Sequence, residues 1–216
     1  MTKIYTLLHR FLTKPQQRGQ YSSGLWQELV RNKALLLIPE SSKKILEVGC
    51  GEGLFLSQIL KKIPNSEIYG IDNSRQRIYQ AQQYLKDISQ IHLSVEDALA
   101  LSFRDCFFDC CVCVNVFFNM PDIITVKKAI LEINRVLRSK GYFIFDIRNA
   151  KNPLLALKYR LAPLYDQSVK NLPLKTYHFR EIEDIIKSIG FCNIEKYPIS
   201  GIKEFAPIFV IKAQKV

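Results

Sequence analysis

The stretch Ile45-Leu46-Glu47-Val48-Gly49-Cys50-Gly51-Glu52-Gly53 constrains this chain more than any other. An apolar run passes directly into a turn with glycine at alternate positions, and a helical pattern (Leu54, Phe55, Ile59, Leu60, Ile63) follows. Glycine at 49 and 51 removes the Cβ atoms that would keep a ligand off the backbone. A strand, a glycine turn and a helix N-terminus in that order make the first crossover of an open α/β sheet, where such sheets dock ligands. A second apolar run, Ile68-Tyr69-Gly70-Ile71, ends in Asp72 about twenty residues further on, the spacing at which a carboxylate reaches ribose hydroxyls.

The glycine spacing argues against a dinucleotide. In the G-x-G-x-x-G fingerprint the third glycine allows close helix–strand packing beneath a pyrophosphate. Here Leu54 stands at that place, Glu52 puts an anion in the turn, and Glu47 adds another just upstream. Such a turn disfavours a doubly charged pyrophosphate and suits a nucleoside that carries positive charge. S-adenosylmethionine, with its sulfonium and α-ammonium, is a ligand of that kind.

From these residues onward the chain resembles the class I S-adenosylmethionine-dependent methyltransferases. ILEVGCGEG is similar to their first motif and YGIDNS, with its acidic residue, to the second. Val95-Glu96-Asp97-Ala98 is similar to the third, and Phe108-Asp109-Cys110-Cys111-Val112-Cys113-Val114-Asn115 to the fourth. Glu132 to Phe143 resembles the helix-turn-strand that follows. The five motifs stand in order over residues 43 to 147. The resemblance implies a cofactor-binding set of Glu47, Gly49, Cys50, Gly51, Gly53, Asp72, Asn73, Glu96, Asp97, Ala98 and Asn115. In it the glycines admit the cofactor to the backbone, and Glu47 holds the methionine ammonium, faced also by the Asn115 carbonyl. Asp72 accepts from the ribose, Asn73 borders the adenine, Asp97 accepts from the adenine amino group, and the Ala98 amide meets a ring nitrogen. Asp109 is expected to be structural.

The implied fold is α/β: a doubly wound, mostly parallel seven-stranded sheet with an antiparallel last strand. Periodicity predicts strands over about 44–48, 67–71, 91–95, 108–114, 141–147, 192–198 and 205–212. Helices are expected over about 25–37, 53–63, 74–86, 121–138 and 180–189, with a short one over about 153–160. The last two strands have no helix between them and are expected to form a hairpin. Residues 1–42 read as an N-terminal helical lid or appendage, with an apolar stripe at Ile4, Leu7, Leu8, Phe11 and Leu12. Residues 43–216 read as the cofactor-binding domain, with an insertion at about 148–178 lining the acceptor side.

The acceptor side is written less plainly. After strand four, where many small-molecule members carry paired histidines, this chain has Val116-Phe117-Phe118-Asn119. Candidate acceptor-side residues are Tyr21, Trp26, Arg148, Asn149, Tyr159, Tyr165, Tyr177 and His178. Of these His178, Tyr21 and Tyr177 are the candidates for a catalytic role, His178 being the best base candidate by its imidazole chemistry. A Pro-Pro clamp for planar nitrogens and a Pro-Cys nucleophile are both missing after strand four.

The formal net charge of +11 over 216 residues raises nucleic acid as a partner, although the lysines are scattered as doublets rather than gathered in a tract. No run approaches the ~18 apolar residues of a membrane span. The six cysteines include three in the predicted fourth strand, with no histidines at zinc spacing, so no metal is expected. Free core thiols suit a reducing compartment, and the cytoplasm is expected. The expected function is methyl transfer to oxygen or nitrogen of a small-molecule acceptor. An RNA (tRNA or rRNA) methyltransferase and a non-catalytic S-adenosylmethionine-binding protein are the alternatives, and acceptor and oligomeric state stay open.

Overall fold

The computed structural model describes residues 25–165, 172–201 and 203–216, apart from the side chains of residues 25 and 162–165. The expected caps at Ser22 or Ser23, and the stripe from Ile4 to Leu12, lie outside the described residues. Helix α1 (Leu25–Leu37) is followed by β1 (Lys44–Val48), α2 (Leu54–Lys62), β2 (Glu67–Asp72), α3 (Arg75–Tyr84) and β3 (Ile91–Val95). Then come β4 (Phe108–Cys113), a 3-10 turn (Phe117–Asn119), α4 (Ile123–Val136) and β5 (Leu137–Arg148). The chain closes with α5 (Pro153–Tyr165), α6 (Phe179–Ile189), β6 (Phe191–Ile199), a second 3-10 turn (Lys203–Phe205) and β7 (Ile208–Lys215).

The seven strands form one sheet in the order β3-β2-β1-β4-β5-β7-β6. Strands β1 to β5 pair in parallel, and β7 inserts antiparallel to both β5 and β6. Strand order reverses between β1 and β4, so the loops leaving their carboxyl ends diverge and open a crevice there. β4 is buried along its whole length, as its near-continuous apolar run requires. Its side chains alternate between two cores. Cys111 and Cys113 face Val126, Ala129, Ile130 and Ile133 of α4 with Ile182 and Ile186 of α6. Cys110 and Val112 face Val30, Ala34 and Ile38 of α1 with Phe55, Leu56 and Ile59 of α2. The result is three layers, helix–sheet–helix.

Two side chains lock this frame at the end of the sheet away from the crevice. Lys62 donates from Nζ to Leu35 O (2.8 Å) and Ile38 O (3.0 Å), satisfying carbonyls that the end of α1 leaves without helical partners. Asp109 accepts from the Lys44 amide (2.8 Å) and pairs with Arg138 (2.6 Å), tying the start of β1 to β4 and β5.

Three boundaries differ from the sequence reading. β5 starts at Leu137, not near Gly141: α4 ends and the chain enters pairing at once, Leu137 opposite Phe108, with a register shift before Cys110 and left-handed Lys140 (φ 62°) absorbing it. α5 runs on to Tyr165, since Pro163 inside it did not end the helix. β7 begins at Ile208 rather than near Phe205, because Lys203–Phe205 closes into a 3-10 turn first.

Candidate active site

The crevice at the sheet reversal is a cleft of about 190 Å³. Its floor is Val48, Gly49, Ile71 and Asp72. One wall is Asn73, Arg77, Glu96, Asp97 and Ala98, and the other is Asn115, Val116, Asn119 and Met120. Seven of the residues read from the sequence thus meet in one place: Gly49, Asp72, Asn73, Glu96, Asp97, Ala98 and Asn115.

The floor is made rigid by hydrogen bonds between the first two crossovers. The amides of Gly49 and Cys50 both donate to Ile71 O at 2.8 Å. Asp72 is buried, and its carboxylate accepts from the Gly51 amide through Oδ2 (3.0 Å) and from the Ser74 amide through Oδ1 (2.9 Å). Ser74 in turn caps α3 by accepting from the Arg77 amide. Arg77 Nη1 stands 3.7 Å from Asp72 Oδ2. So Asp72 fixes the turn while each of its oxygens keeps lone-pair capacity toward the cleft.

The turn glycines differ in what requires them. Gly51 has φ 54°, and a Cβ built on it meets nothing within 4 Å: its missing side chain faces open space. Gly53 has φ 81°, but a Cβ there would sit 2.6 Å from Leu85 Cδ1 and 3.2 Å from Ala81 Cβ. A side chain at Gly53 is therefore excluded by close packing against the end of α3, and Gly53, like Gly51, is not among the residues that line the cleft. Cys50 likewise packs in the core, and burial pushes its thiol well up from the ordinary range.

Glu47 lies beneath the cleft, 3 % exposed, on the β1 face that meets α1. Among the described residues its Oε2 finds no hydrogen-bond donor. Burial pushes its carboxyl up to about 8, against the pull of the Arg31 guanidinium and with the help of the Asp72 charge. A buried polar atom with no partner costs free energy, of the order of 1–3 kcal/mol.

The third motif is more divided than its sequence suggests. Asp97 is exposed and accepts from the Leu99 amide (2.9 Å), and Ala98 faces the cleft. Glu96 borders the cleft, but its carboxylate is engaged by the hydroxyls of Ser94 (2.9 Å) and Ser102 (2.7 Å) and by the Ser102 amide (3.1 Å). It braces the loop after β3.

On the acceptor side several expectations are corrected. Tyr177 is buried and does not line the cleft, and its hydroxyl donates to Phe117 O (2.9 Å); burial, then Asp122 and Glu181, push it up to about 12. His178 is exposed at the N-cap of α6 and does not line the cleft. Asn149 is 1 % exposed and spends its side chain on Glu204 O (2.9 Å), Ala206 O (2.8 Å) and the Lys151 amide (3.0 Å), clamping the end of β5 to the approach to β7. Trp26 has one ring face covered by Lys158 Nζ at 4.1 Å. Tyr21 lies outside the described residues, as does the side chain of Tyr165.

Arg148 is also buried, at 2 % exposure, and holds a network that the sequence reading missed. It pairs with Asp146, donates to Asn115 Oδ1 (2.9 Å) and to Tyr159 OH (3.0 Å), and lies over the Phe118 ring at 4.4 Å. Asp146 also accepts from the Asn115 amide. Asn115 adopts φ 62°, a left-handed conformation that a non-glycine residue needs support to keep. Two side chains of β5 thus set the tip of β4, and Arg148 carries the setting to Tyr159 of α5. Asp146 and Arg148 stand two apart in a strand, on one face, and that acid–base spacing was the available signal. Arg77 and Asn119 were missed as well; the Asn119 Oδ1 is buried with no hydrogen-bond partner among the described residues.

A family profile described as a methyltransferase domain matches residues 46–145. The demethylmenaquinone methyltransferase of Staphylococcus carnosus is 31% identical over 183 residues, which cover 75% of this chain and 73% of that protein. The ubiquinone/menaquinone biosynthesis C-methyltransferase of Zymomonas mobilis is 26% identical over 196 residues, 83% of this chain and 80% of that one. Among solved structures, the N-methyltransferase NodS of Bradyrhizobium japonicum, in complex with S-adenosyl-L-homocysteine, superposes with a TM-score of 0.70 at 19% identity, over 98% of this chain and 97% of that one. With its sheet order, its glycine turn at the strand reversal and these relatives, the chain belongs to the class I S-adenosylmethionine-dependent methyltransferases.

Proposed function

We propose that the cleft binds S-adenosylmethionine in an extended pose across β1 to β4, and that the chain moves the methyl group to oxygen or nitrogen of a small-molecule acceptor. When bound, the cofactor supplies an electrophilic methyl carbon on a sulfonium, whose departing thioether is neutral and needs no acid. The chain's residues bind and orient. Glu47 receives the methionine ammonium on its free Oε2, Gly51 leaves room beside the turn, and Asp72 accepts from ribose hydroxyls. Asn73, Asp97 and Ala98 border the base, and Asn115 presents the tip of β4. The observation that carries this reading is the buried, unpartnered Glu47 oxygen beneath a turn whose missing Cβ faces open space.

No histidine among the described residues lines the cleft: His92 is stacked on Tyr69 at 4.7 Å, and His178 caps α6. This supports an acceptor whose nucleophilic atom is already ionised or carries a lone pair, so that positioning by the wall of Phe118, Tyr159 and Arg148 is the main contribution. The names of the relatives extend the acceptor chemistry to carbon on quinone-type rings, and they favour small molecules over nucleic acid. The segment from 148 to 178 as the acceptor wall completes the arrangement, while α1, read from the sequence as part of an N-terminal lid or appendage, is packed in the core. Among the described residues no helix is long and apolar enough to cross a membrane. The free, buried thiols of Cys110, Cys111 and Cys113 favour a reducing setting such as the cytoplasm.

The test is calorimetric titration and thermal melting with S-adenosylhomocysteine and NAD, followed by methyl transfer from labelled cofactor to a panel of amines, phenols and quinols. The homocysteine nucleoside is expected to bind and to raise the melting temperature, and NAD to do neither. Binding without turnover on the whole panel would favour a non-catalytic role. Turnover only on RNA, falling steeply with salt, would favour the nucleic-acid reading.

A further inference from the structure

Helix α5 carries apolar side chains on two faces, and the core takes only one of them. Leu155 is 1 % exposed, and Tyr159 turns inward to Arg148 and Phe118. Away from them, Leu154, Leu157 and Leu161 are 75 %, 53 % and 41 % exposed. At 100° per residue these three leucines fall within about 60° of one another around the helix. Lys158 borders the stripe on one side and Arg160 on the other, both exposed, with Lys151 exposed in the turn before the helix. No acid occurs from residue 151 to residue 165. An exposed leucine stripe edged by cations is a surface that an anionic lipid interface can accept, through apolar insertion and charge attraction together.

We propose that this face of α5 docks the protein on an anionic lipid surface. The leucines would enter the acyl boundary while Arg160, Lys151 and Lys158, the last seated over Trp26, meet the headgroups. Charge decides against the other occupants. A second copy docked face to face would set its basic flanks against these. A nucleic acid gains little from three aliphatic side chains, because bases stack on aromatic rings and Tyr159 points the other way. The inward face of the same helix meets Arg148 and Phe118, next to the cleft residues Asn115 and Asn119, so docking would bring that side of the cleft toward the surface where apolar ring compounds concentrate. The docking itself does not depend on which acceptor is methylated.

The full-length protein should be floated with vesicles of phosphatidylcholine alone and with vesicles in which about a third of the lipid is phosphatidylglycerol. Retention on the anionic vesicles only is expected. Leu154→Glu/Leu157→Glu should lower that partition by ~10-fold or more, with melting temperature and S-adenosylhomocysteine affinity unchanged, since neither leucine is packed in the core. A separate variant, Leu157→Trp, should show a blue shift of indole emission on anionic vesicles beyond the Trp26 background. The proposal is overturned if the wild type does not float with anionic vesicles. It is also overturned if the double variant floats as well as the wild type, which would leave only diffuse charge attraction, or if the emission of the Leu157→Trp variant stays unmoved. A wild-type dimer in sedimentation equilibrium that the double variant dissociates would assign the face to a second copy instead. Loss of nucleoside binding in the wild type would count against the cofactor reading and leave the vesicle result standing.

Discussion

The β1–β3 side of the cleft, proposed above to hold the cofactor, and the β4–β5 region beside it, proposed to face the acceptor, are built by different means. On the cofactor side, from β1 to β3, side chains fix backbone: Asp72 holds the amides of Gly51 and Ser74, and Ser74 holds that of Arg77. On the acceptor side, side chains hold side chains across the sheet: Arg148 reaches Asp146, Asn115 and Tyr159, and stacks on Phe118. A turn made by capping and glycine conformations is encoded within a few residues. A network made by packing is encoded only once the fold has brought β4, β5 and α5 together.

The largest effect that would test this division is on stability. Asp146→Ala leaves Arg148 buried without its charge partner, and breaking a buried pair in this way costs about 3–5 kcal/mol. Denaturant unfolding should show a loss of that size, and Asp146→Asn, which can still accept from the Asn115 amide, should lose less. A loss below about 1 kcal/mol would mean that the pair is solvated and that the acceptor half is looser than its burial indicates.

Next in size is the contrast between two glycines in one turn. Gly51→Val places a branched side chain at φ 54° and into the open side of the turn, so calorimetric binding of S-adenosylhomocysteine should fall below detection. Gly53→Ala drives a methyl group into Leu85 and should lower stability by about 1–3 kcal/mol, with binding in the surviving fold nearly intact. If both variants lost binding equally and neither lost stability, the turn would act as a single ligand loop, and the assignment of Gly53 to packing would fail.

Asp72→Ala comes third. It removes the acceptor for the Gly51 amide and the proposed partner of the ribose, and nucleoside affinity should weaken by about 1–3 kcal/mol. Asp72→Asn keeps part of the turn and should recover part of the loss. Unchanged affinity in the alanine variant would break the ribose assignment while leaving the fold as described.

These contrasts explain what could be read in advance. The sheet class, the antiparallel last strand and the starts of β1 to β4 followed from hydrophobic period and turn residues, because each depends on neighbours within one element. The start of β5 did not: Ser139-Lys140-Gly141 looks like a turn before a strand, yet Leu137 is already paired to Phe108 across the sheet. The cleft residues Asp72, Asn73, Asp97 and Ala98 follow strand ends and were legible as motifs. Gly53 was legible as a turn glycine, but its packing role was not, since only the packed structure brings Leu85 against it. Arg148 and Asn149 were assigned to the acceptor because polar residues after a strand usually face a ligand. Both are buried, and Asn115, Glu204 and Ala206, among the groups they bond, lie tens of residues away in sequence. Tyr177 failed for the same reason.

The smallest effect joins the two halves through a proton. Glu47 in the free protein holds its proton up to about pH 8, because burial outweighs the attraction of Arg31. The unfolded chain releases that proton near the ordinary glutamate range, about 4.3. Between these values the folded state binds more protons than the unfolded one, so this group's contribution to stability falls as pH rises through the window and levels off above 8. A cationic ligand group beside Glu47 favours the ionised form and expels the proton. Nucleoside affinity should therefore rise with pH below 8, by at most about tenfold per unit for one proton released, and the calorimetric enthalpy should depend on the ionisation heat of the buffer. Glu47→Gln should bind more weakly at pH 8 and lose both dependences. A wild-type affinity that is flat from about pH 6 upward, with no buffer dependence, would mean that no proton leaves Glu47 on binding. The ammonium would then have to be held by groups other than the buried carboxylate oxygen that the described residues leave without a donor.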